Sequence, residues 1–76
     1  MSKVLSILSQ IRPEHDFSQS VDFFEEGLLD SFDLVTLVSE LDSAYGISID
    51  GMDIVPQNFD SIAAIEALLT RSGVTP

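Results

Sequence analysis

Leu34, Leu37, Val38, Leu41 and Tyr45 recur at i, i+3, i+4, i+7 and i+11, and Gly46 follows the last of them. That spacing lays these side chains along one stripe of an α-helix over about Ser31–Tyr45, with the glycine as its stop. Such a stripe is stable only when other elements cover it. The chain has 76 residues and no cysteine, so neither disulfides nor thiolate metal sites can stand in for a core. Its 45% hydrophobic content suffices for one compact core. A single all-α domain over residues 1–76 is therefore expected.

A first helix is predicted over about Ser2–Ile11, where Val4, Leu5, Leu8 and Ile11 keep helical spacing and Pro13 forbids continuation. Residues 13–30 have no periodicity, and a connection this long needs its own anchors. Phe17, Phe23, Phe24, Leu28 and Leu29 can pin it across the core, while Gly27 gives backbone freedom before the next helix. Ile47-Ser48-Ile49 alternates like a strand but has no partner, so an extended link with inward isoleucines is predicted. One short helical turn is expected near Met52–Ile54, before Pro56. The last helix should begin after Asp60 or Ser61, either of which can cap it, with Ile62, Ile65, Leu68 and Leu69 inward and Gly73 at its end. Ala44, Ala63, Ala64 and Ala67 are open to two readings, close packing or the lining of an internal groove.

The charge is unevenly laid out. Thirteen acidic and three basic residues give a net charge of −10, all the acids lie from Glu14 to Glu66, and no Lys or Arg occurs from Pro13 to Thr70. Such a field repels nucleic acid and anionic lipid and draws basic protein surfaces, although acidity can also serve solubility alone. No apolar run is long enough for a membrane span and Met1-Ser2-Lys3 opens no signal peptide, so a cytoplasmic protein is expected.

Most chemistry lacks the residues to support it. Ser31 has no Gly-x-Ser-x-Gly elbow, and the sole histidine, His15, reads as a solvated loop residue. An EF-hand loop begun at Asp42 puts Ile47 where the turn glycine belongs, and one begun at Asp30 puts Asp42 one position too late. No catalytic or metal-ligating residue is expected.

Ser31 itself admits three readings. It can be the N-cap of the second helix, a role in which serine contributes ~1 kcal/mol. It can be a regulatory phosphoserine, favoured by the helix end but opposed by Asp30 and Asp33. Or it can carry a phosphodiester, which adds only one negative charge. Phe32 and Val35 lie off the core stripe beside it, on the face shared with Ser39 and Asp42, and suggest a docking patch.

Asp30-Ser31-Phe32-Asp33-Leu34-Val35 resembles the modification motif of acyl and peptidyl carrier proteins, in which the serine after an aspartate bears a 4′-phosphopantetheine arm. The resemblance covers nearly the whole chain. It includes the Phe23-Phe24-Glu25-Glu26-Gly27-Leu28-Leu29 approach, the long helix ending in Tyr45, the Ile47-Ser48-Ile49 link and the capped helix near Asp60-Ser61-Ile62. It implies an acyl-carrier-like up-down bundle of three main helices plus a short extra one, four in all, acting as a monomer. Ser31 would be the only covalent site, and acyl or aminoacyl groups would ride as thioesters on the arm's thiol. A basic phosphopantetheinyl transferase would load the arm from coenzyme A with Mg²⁺. Loading ligases and downstream transferases or condensing enzymes would then meet a surface of Asp30, Phe32, Asp33, Val35, Ser39, Glu40 and Asp42.

Two departures bear on cargo. Thr36 stands where fatty-acid carriers commonly have an acid. Glu25-Glu26-Gly27-Leu28-Leu29-Asp30-Ser31 and Pro56-Gln57-Asn58-Phe59-Asp60-Ser61-Ile62 look closer to the D-alanyl carriers of cell-wall teichoic acid modification and to specialised stand-alone carriers. The rival from another class is an acidic protein-interaction module in which Ser31 is a plain cap.

Overall fold

Pro13 and the two helix-end glycines divide the chain much as their chemistry requires. The computed structural model describes residues 3–18 and 22–76. Its helices are α1, Lys3–Ile11; α2, Ser31–Tyr45; and α3, Ile62–Arg71. The expected start of the first helix at Ser2 lies outside the described residues. Helix α1 buries Val4, Ile7 and Leu8, whereas Leu5 and Ile11 of the predicted stripe are half-buried flanks. It packs against both α2 and α3.

The α2 stripe is buried as its spacing demands. Leu34, Leu37, Val38 and Leu41 lie in the core, and burying side chains as fully as Leu37 and Leu41 contributes about 2 kcal/mol each. Tyr45 is half-buried at the stripe's end. Gly46 then takes φ 64°, a left-handed turn in which it and Ile47 both donate their N–H to the Asp42 carbonyl. Helix α3 adds Ile65, Leu68 and Leu69 to the same core. Ala44, Ala63 and Ala67 are exposed, so they provide neither close core packing nor the wall of an internal groove.

The described parts of the first connection are anchored by their aromatics, as expected. Phe17 and Phe23 are buried and meet edge to face, with ring centres 5.1 Å apart. Leu29 is buried beside them in the core, while Phe24 and Leu28 pack as half-buried neighbours. The Phe23 N–H donates to the Asp60 carbonyl at 2.8 Å, which ties this connection to the approach of α3. His15 is half-buried with its ring edge-on to Phe17, and so is packed rather than solvated.

Residues 47–61 follow expectation with one addition. There is no strand among the described residues, and Ile49 packs inward as an extended link would. The short turn expected near Met52–Ile54 is a 3-10 turn over Gly51–Asp53, and a second 3-10 turn that was not expected covers Pro56–Asn58. Asp50 caps the first, and Pro56 opens the second because a proline without an N–H is tolerated only in a first turn. Among the described residues the bundle thus has three α-helices, with short 3-10 turns in the connection before the last. Phe59 is fully buried, and Ser61 caps α3 by accepting from the Ala64 N–H at 3.0 Å.

Candidate functional site at the start of α2

Asp30, not Ser31, caps α2. Its backbone is extended at φ −119° and ψ −176°, and its Oδ1 accepts from the Asp33 N–H at 2.8 Å. The Asp33 side chain returns the favour, with Oδ2 accepting from the Asp30 N–H at 3.2 Å. This reciprocal box satisfies two otherwise free N–H groups of the helix start. Ser31 is thereby displaced to the first helical position. It is exposed, and its hydroxyl makes no hydrogen bond among the described residues.

Arg12, just past the end of α1, holds this box from the other side. Its Nε donates to Asp33 Oδ2 at 2.8 Å, while Nη2 lies 3.7 Å from Asp30 and Nη1 lies 3.5 Å from Glu14. The Asp33 N–H holds the Asp30 carboxyl below the usual carboxylate range, and the Arg12 charge adds to that shift. Glu14 is lowered too, chiefly by its own backbone N–H. Asp30 and Glu14 are thus held towards their ionised forms with Arg12 as a shared counter-charge.

The expected partner residues divide into two groups. Phe32 is 79% exposed and Val35 66%, and Ser39, Glu40 and Asp30 are also exposed. Asp33 is 5% exposed, so its carboxylate faces Arg12 and the Asp30 N–H instead of solvent. Asp42 is half-buried, with Oδ1 accepting from the Ile49 N–H at 3.0 Å. Both acids have ties within the chain: burial withdraws Asp33 from the expected contact surface, whereas Asp42 keeps part of its side chain in solvent. The physical reason is helical phase for Asp33, which stands four residues before the buried Leu37, and the need to anchor the turn after α2 for Asp42.

Sequence reading missed Arg12, whose partners lie up to 21 residues away. It also missed the exposure of Met52, at 88%, on the first 3-10 turn. Between α1 and α2 an open groove of about 530 Å³ runs past Ile11 and Arg12 on one side and Phe32 and Thr36 on the other. Among the described residues no group of three or more His, Cys, Asp or Glu is placed to hold a metal ion, and no helix is long and apolar enough to cross a membrane.

The donor set at the α2 start suits a singly charged ester on Ser31. The hydroxyl is accessible and uncommitted, the cap does not depend on it, and Arg12 offsets the adjoining acids. A family model described as "Phosphopantetheine attachment site" matches residues 2–69, which covers α1, α2 and most of α3. No curated protein and no solved structure gives a significant match.

Proposed function

Because the chain belongs to the phosphopantetheine-attachment family, carrier proteins whose prosthetic group is a covalent 4′-phosphopantetheine, we propose that Ser31 is the residue that holds it. Residues 1–76 then act as one carrier domain. The observation that carries this reading is the exposed, unbonded Ser31 hydroxyl at the first position of α2, with capping delegated to Asp30. A serine needed as the cap would be costly to esterify. This one is not.

Carrier domains of this family are in general non-catalytic and work with a phosphopantetheinyl transferase and biosynthetic enzymes. Attachment from coenzyme A breaks the pyrophosphate bond, forms an ester between Ser31 Oγ and phosphorus, and releases the adenosine bisphosphate. Asp30 and Arg12 keep the α2 start rigid for that approach, while Phe32 and Val35 offer apolar contact and Glu40 offers charge to a basic partner. The cargo class is an acyl or aminoacyl thioester on the arm's thiol, D-alanine included, with the carrier acting as a cytoplasmic monomer.

Incubation with coenzyme A, Mg²⁺ and a broad-specificity transferase, followed by intact mass measurement, tests the assignment. One phosphopantetheine should be gained by the wild type and none by Ser31→Ala. An unmodified wild type, or equal gain in both, would sink it. The rival interaction module predicts no gain and partner binding that tolerates Ser31→Ala.

A further inference from the structure

An open groove lies between α1 and α2 near the start of α2, lined by Asp33 of the capping box, by Arg12 and by apolar groups the cap does not use, although Ser31 itself is not among its lining residues. Phe32, directly after Ser31, lines it and remains 79% exposed, an apolar surface that the chain itself leaves uncovered. Ile11 adds a second apolar group from α1. Thr36 and Glu40 contribute oxygen acceptors along α2, and Gln10 contributes an amide from α1.

Arg12 supplies the donor. Of its guanidinium groups only Nε is committed to a hydrogen bond, to Asp33 at 2.8 Å. Its terminal nitrogens have only the long contacts to Glu14 and Asp30, at 3.5 and 3.7 Å, so several N–H groups remain available along the groove that Arg12 lines.

We propose that this α1–α2 groove is the resting berth of the 4′-phosphopantetheine arm. The inference rests on Ser31 being its attachment point. The arm combines a gem-dimethyl group, two amides and an anionic ester, and the groove offers a counterpart to each. Phe32 and Ile11 meet the methyl groups, Thr36 and Glu40 accept from the amide N–H groups, and Gln10 and Arg12 donate to the oxygens. Glu40 is nine residues from Ser31, about 13 Å along the helix axis, which is within the arm's reach. Covering Phe32 removes apolar surface from water and gives the arm a preferred position against α1 while the carrier is unengaged. A partner that contacts Phe32 would have to displace it.

Comparing ¹⁵N–¹H spectra of the apo protein and of holo protein verified by mass tests this. Holo formation should shift the amides of Gln10, Ile11, Arg12, Thr36 and Glu40, with nuclear Overhauser contacts from the arm's methyl groups to Phe32 and Ile11. Thr36→Trp should still gain the arm's mass but lose the shifts on α1. Gln10→Trp blocks the groove from the opposite wall and decides the matter if the first variant misfolds. Shifts confined to residues next to Ser31, or mapping to residues 51–59 and α3, would overturn the berth and leave the attachment site intact. Absence of mass gain in the wild type would instead overturn the attachment, and the berth with it.

Discussion

Asp30 and Asp33 cap each other across the first turn of α2, each accepting the other's backbone N–H, at 2.8 and 3.2 Å. The helix start therefore does not need the Ser31 hydroxyl. Ser31→Ala should melt within the error of wild type, and its stability should change by less than about 0.5 kcal/mol. Asp33→Ala should lose about 1–3 kcal/mol, because Arg12 and the Asp30 N–H both lose a buried acceptor. Asp30→Ala should also melt lower. Thermal and urea unfolding of the three variants check the order, and a Ser31→Ala loss as large as that of Asp33→Ala would return the cap to Ser31.

The same pair sets a pH dependence whose sign follows from the direction of the shift. Asp30 is held below the usual carboxylate range, so the folded state binds its proton more weakly than the unfolded state. Its stabilisation is complete above the ordinary value of about 4 and is lost as pH falls through the lowered one. Unpaired acids elsewhere act oppositely, since protonation relieves the self-repulsion of a chain at −10. Subtracting Asp30→Asn, which retains a capping oxygen, isolates the local term. The melting-temperature gap between wild type and this variant should narrow from about pH 5 down to about pH 2. A constant gap would refute the ionic role of Asp30.

The bounds of α2 were legible because Leu34 to Tyr45 repeat with helical phase and Gly46 supplies the left-handed stop. The cap was not, because aspartate and serine share capping chemistry and only the backbone at Asp30 decides between them. A hint was present: Asp33 follows Asp30 at the spacing of a capping box and precedes Leu37 by one near-turn, which marks it as inward. Arg12 gave no such hint, since its partners are brought to it by packing and not by spacing. The second 3-10 turn escaped for a related reason. Pro56 reads as a breaker, and the turn is fixed by bonds that spacing does not show, the Phe59 N–H donating to the Pro56 carbonyl at 3.0 Å and Asn58 Nδ2 donating to the Asp53 carbonyl at 2.8 Å.

Phe32 and Val35 provide a prediction that separates stability from recognition. At 79% and 66% exposed they bury little apolar surface, so Phe32→Ala and Val35→Ala should each unfold within about 0.5 kcal/mol of wild type. If the transferase docks on this face, Phe32→Ala should lower kcat/KM for Ser31 modification by about tenfold or more, the usual cost of truncating a buried interface anchor. Steady-state assays with the purified carrier as varied substrate measure this. Unchanged kcat/KM in both variants would remove the patch from the docking surface.

Tyr45 bears on the stability of the opposite end of α2. Its hydroxyl is buried without a hydrogen-bond partner among the described residues, and burial, with the charge of Glu66, pushes its pKa up. An unpaired buried hydroxyl costs free energy, whereas the ring contributes packing and lies 5.1 Å below the Lys3 ammonium. Tyr45→Phe keeps the ring and the cation contact and removes only the orphaned group. Its stability at neutral pH should equal or exceed that of wild type, by up to about 1 kcal/mol. The advantage should widen in alkali: with a raised folded pKa, the wild type retains its stability below the ordinary tyrosine value of about 10 and loses it as pH rises towards the raised one. Urea unfolding at neutral and alkaline pH measures both effects. A loss of more than about 1 kcal/mol in Tyr45→Phe would mean that the hydroxyl is satisfied after all, by an ordered water.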